Sequence, residues 1–379
     1  MHLRAAAIFL AVLLLYLALN FYIGWHIYTF LNGLFPVSGA WFWTGLYLVA
    51  LAFLISVTFR KYVPATVSRT LKRIGVLWMA PFEYLLIMLP AVDLAWLVLR
   101  FTGVPADAFV PAAGAAVLIV LALILVRGAY NAWSPIVRRY QIEINKRTKV
   151  DRLKIAIASD LHLGLIVGKK HLNRLVERVN ELDPDLVILA GDIIDEEAQP
   201  FKQKQLDRIM RNMRARYGRY AVLGNHEYYG GEVEQIVEAL RDAGIEMLLD
   251  ERVFVADSVW LVGRKDRTAE SALFGGRKPL NELLEGLNND DPIIVIDHQP
   301  TALREAEKLG VDLIISGHTH RGQLAPNHWI TRRLFDLDWG MKKSGSFHAI
   351  VSSGFGTWGP PFRLGSRAEL IELEIRFPS

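Results

Sequence analysis

The hydrophobic pattern divides the chain into two parts. Apolar residues form four long runs in the first 126 residues, at positions 5–23, 40–59, 74–99 and 108–126. Each run is close to the roughly 20 residues that a membrane-spanning helix needs. Four such helices in succession are hard to bury in a soluble domain, and the first run is too long for a cleaved signal peptide. We therefore predict a four-helix transmembrane region at residues 1–126.

The pattern changes to short apolar runs after residue 150. These runs lie at 155–158, 186–190, 220–223, 293–296 and 313–316, and their length predicts buried β-strands. Stretches of helical character separate them at 169–182, 201–217, 232–243, 279–287 and 302–309. This alternation predicts an α/β domain at residues 151–379. Residues 127–150 are expected to form a juxtamembrane linker with one half-exposed strand at 137–145, which leads into the domain.

Polar side chains of the kind that bind metals follow the five strand-like runs. They are Asp160, His162, Asp192, Asn225, His298, His318 and His320. A single histidine in a loop is usually solvated, so the repetition after every run is what indicates a common site. Open α/β sheets bind ligands at the carboxyl ends of their strands. The set exceeds the needs of one tetrahedral ion, so we predict two ions that share Asp192 as a bridge.

The ordered motifs resemble those of the calcineurin-like metallophosphoesterases. They are Asp160-x-His162, Gly191-Asp192-x-x-Asp195, Gly224-Asn225-His226-Glu227, His298 and Gly317-His318-x-His320, and the resemblance spans residues 136–376. It implies an αββα sandwich, in which two β-sheets pack face to face between helices. The expected fold class is therefore a multi-pass α-helical membrane region followed by an α/β metallophosphoesterase domain.

The resemblance also assigns a role to each motif residue. It implies one metal ion on Asp160, His162, Asp192 and His320, and a second on Asp192, Asn225, His298 and His318. His226 is expected beside the substrate phosphate, and Glu227 is expected to orient or charge His226. Asp195 is expected to orient a neighbouring side chain rather than to bind metal.

Such a site implies a metal-dependent phosphoric ester or diphosphate hydrolase. Two divalent cations neutralise the phosphate and lower the pKa of a water enough for it to attack. His226 is expected to supply the proton that the leaving group needs, so the expected catalytic residues are His226, Glu227 and Asp192. Mixed oxygen and imidazole ligands suit Mn²⁺, Fe or Zn²⁺, and the identity of the metal stays open.

Several basic residues of the domain are candidates for contact with a substrate phosphate. Arg321 and Arg363 are the first candidates, although exposure to solvent is an equal alternative for Arg321. A second basic set is expected mostly to face solvent: Arg264, Lys265, Arg267, Arg277 and Lys278.

The distribution of basic residues predicts the orientation in the membrane. Lys and Arg are concentrated after the second and fourth apolar runs, at Arg60, Lys61, Arg69, Lys72, Arg73, Arg127, Arg138, Arg139, Lys146 and Arg147. Residues 26–39 and 101–107 contain none. The positive-inside rule then places both termini and the catalytic domain in the cytoplasm, with the helices in the cell's inner membrane.

Two acids within the third run, Glu83 and Asp93, have either a functional role or a link to water or a neighbouring helix.

The net charge of +4 and the isoelectric point near 9.1 do not by themselves indicate nucleic acid. Much of the basic excess is juxtamembrane, where it sets topology and attracts anionic lipid, and we expect no nucleic-acid partner. The chain has no cysteine, which excludes disulfides and thiolate metal ligands.

The membrane region suggests a substrate in the inner leaflet. The segments 317–323 and 353–363 resemble those of bacterial membrane-associated phosphohydrolases, a group that includes enzymes cleaving UDP-2,3-diacylglucosamine, so a lipid-linked phosphoester or pyrophosphate is expected. Two alternatives stay open. One is a membrane sensor or transport-coupled protein whose domain only binds a phosphorylated ligand, and the other is a phosphodiesterase for soluble nucleotides or phosphoproteins. The sequence leaves the oligomeric state undetermined.

Overall fold

The computed structural model describes residues 2–378 and contains two compact units that meet in sequence between Gly128 and Ala129. The helices are α1 (His2–Leu34), α2 (Gly39–Thr58), α3 (Ala65–Leu99), α4 (Ala106–Trp133), α5 (Lys169–Leu182), α6 (Ala198–Gln203), α7 (Leu206–Met210), α8 (Asn225–Tyr229), α9 (Val233–Asp242), α10 (Leu280–Leu284), α11 (Leu303–Lys308) and α12 (His328–Leu334). The strands are β1 (Ile136–Glu143), β2 (Arg152–Ala158), β3 (Leu186–Ala190), β4 (Arg219–Val222), β5 (Glu246–Met247), β6 (Glu251–Val255), β7 (Val259–Gly263), β8 (Ile293–Ile296), β9 (Leu313–Ser316), β10 (Gly340–Ser344), β11 (Phe347–Val351) and β12 (Glu369–Arg376).

The first unit contains four helices that are long and apolar enough to cross a membrane. They coincide with the four predicted apolar runs and extend beyond most of them. Polar contacts join these helices to one another: Trp78 Nε1 donates to Asn20 Oδ1 at 3.0 Å, and Tyr16 OH donates to the carbonyl of Ala50 at 2.8 Å. Asp93 contacts α1, where it accepts from Tyr22 OH at 2.5 Å and lies 3.2 Å from His26 Nε2. Asp93 thus has polar neighbours on another helix, one of the two roles expected for it.

The second unit contains two six-stranded mixed sheets. One has the strand order β1-β12-β2-β3-β4-β5, and the other has the order β10-β11-β9-β8-β7-β6. Strands β2, β3 and β4 are mutually parallel, as are β7, β8 and β9, because helices connect them. Strand β1 pairs in parallel with β12, so the predicted strand after the membrane region is an edge strand of the first sheet.

The sheets pack face to face because alternate residues of each strand point to opposite faces. Ile155 and Ile157 of β2 lie with Ile294 and Ile296 of β8 in one buried cluster between the sheets. The outer face of the first sheet packs against helices such as α5 and α9, and the outer face of the second packs against α10 and α11. This is the αββα sandwich that the resemblance implied.

The predicted strands and most of the predicted helices are confirmed, and one helix is wrong. The stretch 201–217 contains two short helices, α6 and α7, followed by an irregular segment. Gln205 separates the two helices because its φ of 51° lies in the left-handed region, which cannot continue a right-handed helix.

Candidate metal centre

The predicted ligands converge where the carboxyl ends of both sheets meet. Asp160 and His162 follow β2, Asp192 follows β3, and Asn225 begins α8 after β4. On the second sheet, His298 follows β8, while His318 and His320 follow β9. Each of the seven residues stands within six positions of a strand end, so a rigid sheet fixes where its backbone begins.

Two clusters of ligand atoms form there. In the first, His162 Nε2 lies 3.1 Å from His320 Nε2, and His320 Nε2 lies 3.4 Å from Asp160 Oδ1. In the second, Asp192, His298 and His318 each offer an atom, all within 4.8 Å of one another. Asn225 joins this second cluster, since its Oδ1 lies 2.8 Å from His318 Nδ1. The structure thus brings the seven predicted ligands together in two neighbouring groups.

Asp192 contacts both clusters. Its Oδ2 lies 3.2 Å from His298 Nε2 and 3.8 Å from His162 Nε2. The other oxygen, Oδ1, accepts a hydrogen bond from the backbone N–H of His226 at 2.9 Å, which fixes the carboxylate plane. This position between the clusters is the one that a bridging ligand requires.

The backbone at this site is strained in a consistent way. Five of the predicted ligands have positive φ angles: Asp160 (52°), His162 (45°), Asp192 (50°), His318 (71°) and His320 (47°). Residues other than glycine and asparagine rarely adopt this left-handed region, which costs on the order of 1 kcal/mol or more each. Such strain concentrates at functional sites, because the tight turn after each strand aims the side chain inward.

Glycines allow the turns to approach one another. A Cβ atom on Gly191, whose φ is 87°, would lie 2.4 Å from His298 Nδ1. A Cβ on Gly224 would lie 2.1 Å from Asp192 Oδ1, and one on Gly317 would lie 2.5 Å from Asp160 Oδ2. The three motif glycines therefore leave the space that the ligands occupy.

Hydrogen bonds orient the ligands from behind. His298 Nδ1 lies 2.7 Å from the carbonyl oxygen of Ala190, so this nitrogen is the donor, and Nε2 is directed toward Asp192. His298 Nε2 is buried and has no hydrogen-bond partner among the described residues. Asp160 accepts from the backbone N–H of His318 at 3.0 Å and from Ser159 Oγ at 2.5 Å. Supports of this kind fix the tautomer and ring plane of metal ligands.

Burial sets the charge of the imidazoles. It lowers the pKa of His162 and of His318 to about 4, and it lowers the pKa of His320 well below the ordinary value. Burial acts in the same direction on His298, but the charge of Asp192 outweighs it and raises the pKa of His298 well above 6.5. The neighbourhood of Asp192 thus favours positive charge, while three histidines stay neutral and can donate lone pairs. These residues fit two divalent cations.

His226 lies at the edge of the first cluster. Its ring is 4.6 Å from that of His162, and its Nδ1 lies 3.6 Å from Asp195 Oδ1. Burial lowers the pKa of His226, but Asp195 and Asp192 more than offset this effect, and the pKa is raised. His226, His162 and Asp195 also form a third group close enough to hold an ion. Asp195 lies beside both rings, and its orienting role stays a prediction.

Glu227 holds the backbone of the site and also acts on His226 through its charge, which helps to raise the pKa of that ring. Its carboxylate accepts from the backbone N–H groups of Gly224 at 2.7 Å and Ile194 at 2.9 Å. Both oxygens therefore bind backbone amides of the two turns that carry Asn225 and Asp192, and Glu227 fixes those turns instead of orienting the His226 ring. Burial raises the pKa of Glu227 to about 8, and the nearby charge of Asp192 adds to the effect.

Arg363 is placed differently from the prediction. Its side chain is fully buried, donates to the carbonyls of Ser353 and Gly356, and lies with Nη2 3.2 Å from His320 Nδ1. Because these contacts occupy the buried guanidinium, Arg363 supports the His320 ring and does not face a substrate. Arg321 is half-buried and stacks on the Trp339 ring at 4.0 Å.

Two residues of the basic set are buried, contrary to the expectation of a solvent-exposed face. Arg264 and Arg277 both donate to Asp297 Oδ2, the former at 3.0 Å. Asp297 directly precedes His298 and is fully buried. The two arginines come from a loop distant in sequence, so no local pattern connects them with Asp297.

A sequence model of the family described as calcineurin-like phosphoesterase matches residues 153–322. An uncharacterized metallophosphoesterase of Aquifex aeolicus is 36% identical over 63% of this chain and 91% of its own length. This chain belongs to the calcineurin-like metallophosphoesterase family.

Some relatives combine the same domain with membrane helices. A transmembrane protein with metallophosphoesterase domain from Danio rerio is 32% identical over 68% of this chain, and its counterpart in Bos taurus is 32% identical over 69%. The chain spans 62% of the length of each of these two relatives. Among solved structures, a dimetal phosphatase from Danio rerio is 15% identical, covers 60% of this chain and 99% of its own, and has a TM-score of 0.40.

Proposed function

We propose that the protein is a membrane-anchored phosphohydrolase with a dinuclear metal centre, which cleaves phosphodiester or pyrophosphate bonds of a lipid-linked substrate. The observation that carries the proposal is the position of Asp192, whose Oδ2 faces His298 on one side and His162 on the other. A carboxylate shared in this way suits two cations, because two positive charges offset its burial and each cation still has neutral imidazole ligands.

The metal-holding residues would be Asp160, His162, Asp192 and His320 for one ion, and Asp192, Asn225, His298 and His318 for the other. When bound, such a pair of ions supplies charge to neutralise the phosphate and to activate a water for in-line attack. The chain itself positions these ligands from two sheets, and burial keeps His162, His318 and His320 neutral. Arg363 supports His320, and Glu227 holds the turns of Asp192 and Asn225.

His226 is proposed as the group that provides a proton to the leaving oxygen. It lies beside His162, outside the two main ligand sets, and Asp195 lies near its Nδ1. Its raised pKa favours the protonated imidazole near neutral pH, which is the form that a general acid needs.

The lipid-linked substrate is proposed from the membrane helices. An enzyme anchored by apolar helices meets lipid headgroups at high local concentration, and UDP-2,3-diacylglucosamine is the specific candidate. The domain is proposed to face the cytoplasm, in accordance with the distribution of basic residues.

The test is an assay of the purified full-length protein. We expect hydrolysis of bis(p-nitrophenyl) phosphate in the presence of Mn²⁺, loss of this activity on addition of a chelator, and release of UMP from UDP-2,3-diacylglucosamine. Asp192→Ala is the matched control and should be inactive on both. Hydrolysis of the generic diester without release of UMP would contradict the specific substrate, whereas no hydrolysis at all would favour a domain that only binds a phosphorylated ligand.

A further inference from the structure

Helix α12 exposes a face of large apolar side chains. Trp329, Ile330 and Leu334 are 64%, 58% and 71% exposed. At about 100° of rotation per residue, these three side chains span an arc of roughly 140° on the helix, and Thr331 lies about 60° beyond Leu334, at the border of that face. Contiguous exposed apolar side chains of this size are typical of surfaces that bind a protein, a membrane or a ligand.

Hydrogen bonds fix helix α12 to the segment that carries the candidate metal ligands His318 and His320. Thr331 Oγ1 donates to Asp338 Oδ2 at 2.7 Å, and the carbonyl of Asp338 accepts from Thr319 Oγ1 at 2.5 Å. Thr319 stands between His318 and His320. In addition, the ring of Phe335, which follows α12, lies 6.0 Å from that of His318. The apolar face is therefore held at a constant position beside the metal centre.

Cationic side chains accompany the apolar ones. Arg332 and Arg333 are exposed, and no carboxylate pairs with either in the part of the chain that the structure describes. Arg333 lies on the same side of the helix as Trp329, four residues earlier. An anionic bilayer has negatively charged headgroups above a hydrocarbon interior. The unpaired arginines would complement the headgroups, and the apolar side chains would complement the hydrocarbon.

Exposed aromatic residues also lie on the His226 side of the centre. Tyr229 and Trp358 are 63% and 54% exposed, and their rings lie 5.5 Å and 6.1 Å from that of His226. The metal centre thus has large apolar side chains on two sides. This border suits the hydrocarbon part of an amphiphile whose phosphate reaches the centre.

We propose that α12 is an interfacial lipid-binding helix, which places Trp329, Ile330 and Leu334 in the hydrocarbon of an anionic membrane while Arg332 and Arg333 bind lipid phosphates. A bilayer is the favoured occupant because the same chain contains four helices apolar enough to cross one. The link to catalysis rests on the proposed function: a docked α12 would deliver a lipid-linked phosphoester to the metals. Docking itself does not depend on that activity.

The absence of cysteine in the chain permits a direct test. The full-length protein would carry one spin label at Ile330→Cys and would be reconstituted in vesicles of phosphatidylglycerol and phosphatidylcholine. The accessibility of the label to oxygen and to a water-soluble nickel complex would then be measured. Leu123, which is 65% exposed on α4, is replaced by cysteine to give the reference for a label in lipid. Glu238, which is exposed on α9, is replaced by cysteine to give the reference for a label in water.

We expect the label at position 330 to resemble the lipid reference in anionic vesicles. A label that resembles the water reference would overturn the proposal, as would spin–spin coupling that disappears on dilution with unlabelled protein, which indicates a second copy instead. Neither readout requires hydrolysis, so a failure here is distinct from a failure of the proposed function.

The role of the two arginines has its own control. In Arg332→Gln/Arg333→Gln, the fraction of label in lipid should fall roughly fivefold per arginine removed when anionic vesicles are used. The control variant Arg214→Gln/Arg216→Gln removes the same amount of charge. These two residues precede β4, at the opposite end of that strand from Asn225, so the label should stay in lipid. Equal effects of the two double variants would overturn the assignment of Arg332 and Arg333.

Discussion

The candidate site works through the different environments of chemically similar residues. His162 and His318 are kept neutral by burial, whereas His298 and His226 are biased toward positive charge by the carboxylates of Asp192 and Asp195. Three of these rings suit metal ligation, and the ring of His226 suits proton donation. This division follows from distances to carboxylates and not from residue type.

His226→Ala provides the residue-scale prediction for catalysis. The variant should retain both metal ions, because the main ligand sets do not include His226, and its turnover should fall by about 10²- to 10⁴-fold. Metal content by mass spectrometry and turnover of a generic diester would be measured on the same preparation. Loss of metal together with activity would show that His226 is a ligand, as its group with His162 and Asp195 permits.

Gly191→Ala tests the close approach of the turns. The added methyl would meet His298 Nδ1 at 2.4 Å, so the His298 ring must move and we expect loss of metal and activity. Gly310→Ala is the matched control, because its φ of 76° is similar and its Cβ would meet nothing within 4 Å. Equal retention of metal by both variants would show that the site does not require the close approach of Gly191 to His298.

At the scale of the elements, the last residues of α4, from Ala129 onward, belong to the second unit and make contacts within it. Asn131 Nδ2 donates to the carbonyl of Arg363 at 3.0 Å, and Arg174 donates to the carbonyl of Trp133. The Trp133 ring lies 5.1 Å from that of His171 on α5. Within the second unit, Asn131 therefore contacts Arg363, which supports His320.

His171 gives this region a predictable dependence on pH. Burial lowers the pKa of His171 to about 4, whereas a histidine in an unfolded chain has a pKa near 6.5. Between these values the unfolded chain takes up a proton that the folded chain excludes, so the free energy of unfolding decreases as pH falls from about 6.5 toward 4.

We therefore expect His171→Gln to lose less stability on acidification than the wild type, by on the order of 2 kcal/mol between pH 7 and pH 4. Thermal unfolding of the full-length protein in detergent would be followed at several pH values, and the difference between the two proteins removes the contributions of other histidines. Parallel pH profiles would contradict the depressed pKa of His171.

For the whole molecule, the sequence predicted what depends on local pattern. Strands such as 186–190 and 313–316 were located by length and apolarity, and the candidate ligands after them were selected because each follows a strand end. The resemblance supplied the packing of the two sheets, which periodicity alone did not determine. What was missed depends on tertiary contacts: Arg363 and Arg264 are charged residues that only the folded chain shows to be buried beside His320 and Asp297.

Glu227 and Arg363 illustrate the same limit in the site itself. Both were assigned roles by their position next to a motif or by their charge, yet each is consumed by backbone hydrogen bonds. Partner choice for a buried polar side chain is set by the surrounding fold, and it is therefore not readable from neighbours in sequence.

The orientation of the whole protein is a further prediction. In intact cells, Glu238→Cys should resist a membrane-impermeant maleimide, because the basic residues after the second and fourth helices predict a cytoplasmic domain. The same cysteine should react after the cells are permeabilised. Rapid labelling of intact cells would contradict the predicted topology and would indicate that the domain lies outside the cytoplasm.

The central claim is that two metal ions share Asp192, and metal content tests it most directly. Inductively coupled plasma mass spectrometry on the purified full-length protein should give about two divalent ions per chain for the wild type. Asp192→Asn should retain fewer than about one, since both clusters lose a common ligand. A wild-type protein that never exceeds one ion, or an Asp192→Asn variant that retains two, would contradict the account.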